Sequence, residues 1–129
     1  RRAVDAVTAS IRGIGNGRLR GVVHSFSGSP EQARQLWALG FMIGLGGPLT
    51  YQRAQRLHRL VASMPLEFLL LETDAPDQPD AAIRGERNEP ARLRVVLDTV
   101  ARLRGEEPGE IAAATSANAE RLFALPPAL

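Results

Sequence analysis

The chain has 129 residues, the size of a single domain, and it contains no cysteine. Disulfides and thiolate ligands are therefore excluded, and any metal has to be held by histidine and carboxylate. Sixteen basic residues, all arginine, face fourteen acids for a formal charge of +2, which excludes a strong polyanion-attracting field.

Residues 3–11 place Ala3, Val4, Val7 and Ile11 on one helical face, and GIGNG at 13–17 predicts its end. Arg1, Arg2, Arg12, Arg18 and Arg20 meet only Asp5 in this opening segment, a charge excess that a solvated face explains. RGVVHSF at 20–26 reads as a short strand. Ser29, Pro30 and Gln32 then supply an N-cap, a first-turn proline and the partner of a capping box. The helix they open carries Ala33, Leu36 and Trp37 and stops at Gly40. FMIGLGG at 41–47 predicts a second strand running into a glycine loop, and Thr50 predicts the cap of a helix whose buried face is Ala54, Leu57 and Val61.

Pro65 closes that segment, and LEFLLLETDAP at 66–76 follows. Phe68, Leu69, Leu70 and Leu71 run without alternation, as in a strand covered on both faces of a parallel sheet. A polar loop spans 77–87, Asn88 and Pro90 predict the start of a long helix with Leu93, Val96, Leu97 and Val100 as its stripe, and two shorter helices are expected near 108–115 and 117–124. Strands alternating with helices predict an α/β domain with a parallel sheet. No apolar run approaches the roughly 20 residues of a membrane helix, and the start RRAVDAVTAS lacks the apolar core of a secretory signal. A cytoplasmic protein without a membrane partner is expected.

In parallel α/β folds the chemistry collects where the carboxyl ends of the strands meet their loops. The first such end offers His24, the second the Gly44, Gly46 and Gly47 loop, and the third Glu72 and Asp74. Histidine and carboxylate converging on one rim can bind a divalent cation that activates water near neutral pH. Each also has a plainer reading: His24 as a hydrogen-bonded core residue, Asp74 as a turn former before a proline, and Arg87 as part of a solvated helix start. Arg87 as an anion clamp on a phosphate oxygen is the functional alternative. His58, among Arg56 and Arg59, reads as a solvated side chain, and GLGG reads as a tight turn with close packing.

Val61, Met64, Pro65, the run Leu69 to Asp74 and Pro76 together resemble the signature of the TatD family of metal-dependent deoxyribonucleases. GVVHSFSG at 21–28, G-F-x-I-G at 40–44, RNEP at 87–90 and T-x-x-N-x-x-R-L-F at 115–123 follow in that family's order. The resemblance implies the carboxyl-terminal half of a hydrolase built as a (β/α)8 TIM barrel, with this chain supplying a partial barrel of strands six to eight and their helices. It implies two divalent metal ions at the rim, magnesium, manganese or zinc, and DNA or another phosphodiester as substrate. His24 would bind one metal. Asp74 would bind the other and accept a proton from the attacking water as the catalytic base, with Glu72 supporting them.

A closed barrel takes roughly 250 residues, about twice this length. The family's remaining ligands have no counterpart here, because the only histidines are His24 and His58. The isolated chain is therefore expected to be catalytically incomplete. The competing expectation is a non-catalytic half-barrel or truncated product that self-associates or takes a partner chain across its open sheet edges.

Overall fold

The computed structural model describes residues 2–15 and 17–126; Arg1 of the basic opening and Asn16 of the GIGNG segment lie outside them. Three strands, β1 (Gly21–Val23), β2 (Phe41–Leu45) and β3 (Leu69–Leu71), form one parallel sheet in the order β1-β2-β3. Their register pairs Val23 with Ile43 and Leu45 with Leu71. All five residues of β2 are buried, which explains the absence of alternation in a strand flanked on both sides.

Five helices surround the sheet: α1 (Arg2–Gly15), α2 (Pro30–Ala38), α3 (Gln55–Ser63), α4 (Leu93–Arg104) and α5 (Pro108–Phe123). In α1 the inward face is Val4, Thr8, Ile11 and Gly15, whereas the expected Ala3 and Val7 are exposed. The helix also runs through Gly13 to Gly15 before the turn at Gly17, whose φ of +73° suits glycine. The capping box of α2 is formed as the sequence predicts: Ser29 Oγ accepts from Gln32 N–H, and the Gln32 side chain accepts from Ser29 N–H. Leu36, Ile43, Leu45, Leu49, Val61, Leu69, Val100 and Ile111 are buried at the centre of the core.

Several boundaries differ from expectation. The first strand stops at Val23 because Ser25 turns into the left-handed region at φ +48°. The third begins only at Leu69, since Leu66–Phe68 form a 3₁₀ turn, with Phe68 stacked on Trp37 at 6.0 Å between ring centroids. Thr50 does not cap α3. It ends a 3₁₀ turn, donating to Gly47 O and accepting from Ala81 N–H. Asn88 does not cap a helix either; Glu89 precedes a 3₁₀ turn at Pro90–Arg92 that leads into α4. The two short helices expected at the end are one continuous helix, α5.

The T-x-x-N-x-x-R motif of α5 acts as a clasp. Asn118 Nδ2 donates to Leu66 O and Leu69 O, both at 2.8 Å, and Arg121 Nη2 donates to Glu67 O at 3.0 Å. They satisfy carbonyls of the turn that feeds β3 and so set where the strand starts. Arg104 does the same for the end of α3, donating to Val61 O and Met64 O.

Candidate metal centre

β1 and β3 are separated by β2, so their axes lie about 10 Å apart at the usual strand spacing. A side chain leaving the end of β3 reaches the end of β1 only if nothing stands on β2 between them. Residue 44 is glycine, and a Cβ there would strike the Glu72 carboxylate and approach the His24 Cα to 3.2 Å. Glu72 occupies that space. It crosses β2, and its Oε1 accepts the Ser25 N–H from beyond the end of β1.

The crossing draws His24, Glu72 and Asp74 together, with one ligand-type atom from each lying within 4.8 Å of the others. His24 Nδ1 is 3.9 Å from Asp74 Oδ1; the histidine side chain is 72% exposed and the aspartate 26%. Both aspartate oxygens are directed. Oδ2 accepts from Ser25 Oγ at 2.5 Å and from Gln78 Nε2 at 2.6 Å, which turns Oδ1 toward His24. Gln78 Nε2 also donates to Ser25 Oγ at 3.0 Å, closing a triangle.

Ser25, Asp74 and Gln78 have φ of 48°, 54° and 51°, values that side chains other than glycine's adopt at a cost of order 1–3 kcal/mol each. The surrounding contacts hold this strained backbone in place. Asn88, 3% exposed, donates through Nδ2 to Thr73 O at 2.6 Å and Asp77 O at 2.7 Å, and its own N–H bonds Pro76 O. Asp80, 1% exposed, takes a two-pronged bond from Arg92, Nε to Oδ2 at 2.7 Å and Nη2 to Oδ1 at 2.8 Å. The loop after β2 is pressed against the same segment, because a Cβ on Gly47 would collide with Gln78 O. GLGG is closely packed as the sequence predicts, but Gly44 and Leu45 end β2 and only Gly46 and Gly47 lead into the turn.

Burial pushes the Glu72 carboxyl above its ordinary range, and the Asp74 charge adds to the rise against the opposing Ser25 N–H and His24. The Glu72 and Asp74 carboxylates repel one another, and a cation bound between them would relieve that repulsion. Cis ligands around an ion with bonds of about 2.1 Å sit roughly 3.0–3.4 Å apart. The 3.9 Å gap between His24 and Asp74 exceeds that by roughly 0.5–0.9 Å, and the exposed histidine side chain can rotate to close it. Oxygen and imidazole donors suit magnesium, manganese or zinc, so the donor set fits a divalent ion.

His24 and Asp74 meet as the sequence predicts. Arg87 is exposed beside the buried Asn88. His58 is not merely solvated, since its Nε2 hydrogen-bonds Leu49 O at 2.8 Å. Sequence reasoning missed Ser25, Gln78 and Asn88 as parts of the site; the only signal was polar residues flanking the His24 and Asp74 positions.

The chain is similar to known proteins over most of its length. Residues 1–124 match the family described as TatD related DNase. An uncharacterized metal-dependent hydrolase, YjjV of Escherichia coli K12, is 45% identical over 106 residues, covering 82% of this chain and 41% of that protein. The 3'-5' ssDNA/RNA exonuclease TatD of Citrobacter rodentium is 40% identical over 111 residues, 81% of this chain and 41% of that protein. The crystal structure of the E. coli YjjV superposes with a TM-score of 0.90 at 41% identity, covering 98% of this chain and 48% of the other. This chain therefore spans about half the length of the relatives it matches. It belongs to the family of TatD related DNases.

Proposed function

We propose that this chain is the carboxyl-terminal half of a TatD-type hydrolase that cleaves phosphodiester bonds in DNA, and that its three strands are the sixth to eighth of a (β/α)8 barrel. The observation that carries the reading is the meeting of His24, Glu72 and Asp74 over Gly44, three donors from two non-adjacent strands within 4.8 Å. His24 and Asp74 are the ligands in this reading, sharing one ion rather than holding one each as the resemblance implies, because their donor atoms stand 3.9 Å apart; Glu72 positions them through its bond to Ser25 N–H. A divalent ion held there supplies Lewis acidity and lowers the pKa of coordinated water toward 7. Asp74, with Oδ2 pinned by Ser25 and Gln78, keeps Oδ1 free as ligand and proton acceptor. Arg87 is the proposed phosphate contact, exposed and at the edge of the Asn88-bound loop. The exonuclease name of the Citrobacter relative supports a nucleic-acid substrate. A cytoplasmic location belongs to the same reading; no helix among the described residues is long and apolar enough to cross a membrane.

A half-barrel that takes a partner segment is favoured by a second observation. Leu70, Leu71, Leu93, Leu97 and Ala112 line an apolar cleft of about 350 Å³ beside β3, and Leu93 is 39% exposed. β1 and β3 each pair on one side only within the described sheet. Further strands along those edges would bury the cleft and bring the remaining metal ligands.

Assays on single-stranded DNA with added magnesium, manganese or zinc test the proposal. The 129-residue chain gives background rates, and a chain carrying the five amino-terminal strands cleaves and loses the activity on Asp74→Asn. Robust cleavage by the short chain, abolished by the same change, would overturn the assignment of its site as incomplete.

A further inference from the structure

A groove leads away from the metal centre. One cavity of about 240 Å³ opens at Ser25 and Gln78 and is walled by Phe26, Leu45 and Leu49. A second, of about 360 Å³, shares Pro48, Leu57 and Gln78 with the first and ends at Tyr51 and Arg53. Gln78 is common to both and donates to Asp74 Oδ2, so the groove begins one side chain from the rim. Among the described residues no acidic side chain lines either cavity, and Arg53 is the one charged group that does.

The far end is built rather than incidental. Tyr51 O–H donates to Pro79 O at 3.0 Å, which fixes the ring, and the Arg53 guanidinium carbon lies 5.5 Å from the ring centroid. Thr50, next to it, is held by its bonds to Gly47 O and Ala81 N–H. The result is a fixed aromatic ring with a planar cation lying over it, a floor of apolar side chains, and an amide at the near end.

We infer that this groove is a base-binding subsite for single-stranded nucleic acid, in which the base of a nucleotide next to the scissile phosphate stacks on Tyr51 and Arg53. The inference rests on the reading of the rim as a phosphodiester-hydrolysing site. Every nucleobase presents a flat π face, and such faces stack on tyrosine and on guanidinium without regard to sequence. The apolar walls remove water from the stacked base, and the Arg53 charge favours the polyanionic backbone. A base paired in a duplex has no free face to offer, so the subsite selects single strands.

Tyr51 is the only tyrosine in the chain, which makes its ring a single resolvable NMR reporter. The test titrates the 129-residue chain with hexathymidylate and, in parallel, with a backbone of the same length lacking bases. Hexathymidylate is expected to shift the Tyr51 ring signals and to bind about five- to hundredfold more weakly to Tyr51→Ala, the range set by loss of one stacked base. Tyr51→Phe keeps the ring and the binding. Arg53→Ala, at an exposed position, weakens it without disturbing the fold. The base-free backbone binds the wild-type chain as weakly as hexathymidylate binds Tyr51→Ala. An unmoved Tyr51 ring at millimolar hexathymidylate, or equal affinity for the base-free backbone, overturns the inference. Divalent-ion binding is measured on the same samples. Ion binding lost in Asp74→Asn together with an inert Tyr51 sinks the groove alone, whereas a responsive Tyr51 without ion binding sinks the hydrolytic reading of the rim and leaves the groove.

Discussion

Ser25 and Asp74 stand 49 residues apart in the chain and at the ends of non-adjacent strands, yet Ser25 Oγ donates to Asp74 Oδ2 at 2.5 Å. Gln78 donates to the same oxygen. Two donors on one carboxylate oxygen fix the orientation of the other, the task that outer partners perform for metal ligands. Ser25→Ala or Gln78→Leu should weaken divalent-ion binding about tenfold while leaving the far-ultraviolet circular dichroism unchanged. Calorimetric titration with manganese measures it, and equal affinities would remove the positioning role.

Gly44→Ala tests the crossing of Glu72 over β2. The added Cβ meets the Glu72 carboxyl carbon at 2.9 Å, with the His24 backbone behind it, so the carboxylate has to leave. Overpacking of this kind costs about 1–3 kcal/mol, and the three donors should no longer assemble. The variant is expected to unfold at lower urea and to bind no manganese in the range where the parent does. Gly40→Ala, where a Cβ meets nothing but φ is +80°, controls for strain without collision.

Glu72→Gln should stabilise the metal-free chain at neutral pH. A carboxyl whose folded pKa lies above its unfolded value contributes its stability below the unfolded value and loses it as pH rises through the folded one. Glutamine mimics the protonated form and keeps an acceptor for Ser25 N–H. The variant is therefore expected to be the more stable at pH 7, with the gap closing as pH falls below the ordinary glutamate value of about 4.3. Urea midpoints across that range decide it; a gap that widens in acid would show the sign to be wrong.

The buried Asp80 carries the opposite sign. The hydrogen bonds from Arg92 hold its carboxyl below the usual range, against the penalty of burial. Its contribution is present above about pH 3.9 and is lost as pH falls through the folded value. Asp80→Asn should cost about 2–3 kcal/mol at neutral pH and flatten the acid limb of the stability curve. An equally steep acid loss in the variant would move the titration to another group.

The pieces of this fold that rest on local pattern were legible in the sequence. The capping box at Ser29, the stop at Gly40, the buried run of β2 and the rim position of His24 and Asp74 all follow from residue type and spacing. What depended on distant partners was hidden. Thr50 and Asn88 carry cap-forming side chains, and both spend them on loops, because Ala81 and Thr73 arrive from elsewhere in the chain. The first strand was read too long since nothing local marks Ser25 as left-handed; its φ is held by the bonds to Glu72 and Asp74. Residue type places Glu72 beside the rim as support, whereas the empty space above Gly44 that lets its carboxylate cross β2 is a property of register alone.

His24 and Asp74 are proposed to hold a divalent ion between them. Crystals of the 129-residue chain grown with manganese, with data collected at the manganese absorption edge, test it most directly. An anomalous peak is expected about 2.0–2.3 Å from an imidazole nitrogen of His24 and from Asp74 Oδ1, absent in crystals of Asp74→Asn. A peak held by other side chains, or none at this rim under saturating manganese, would contradict it.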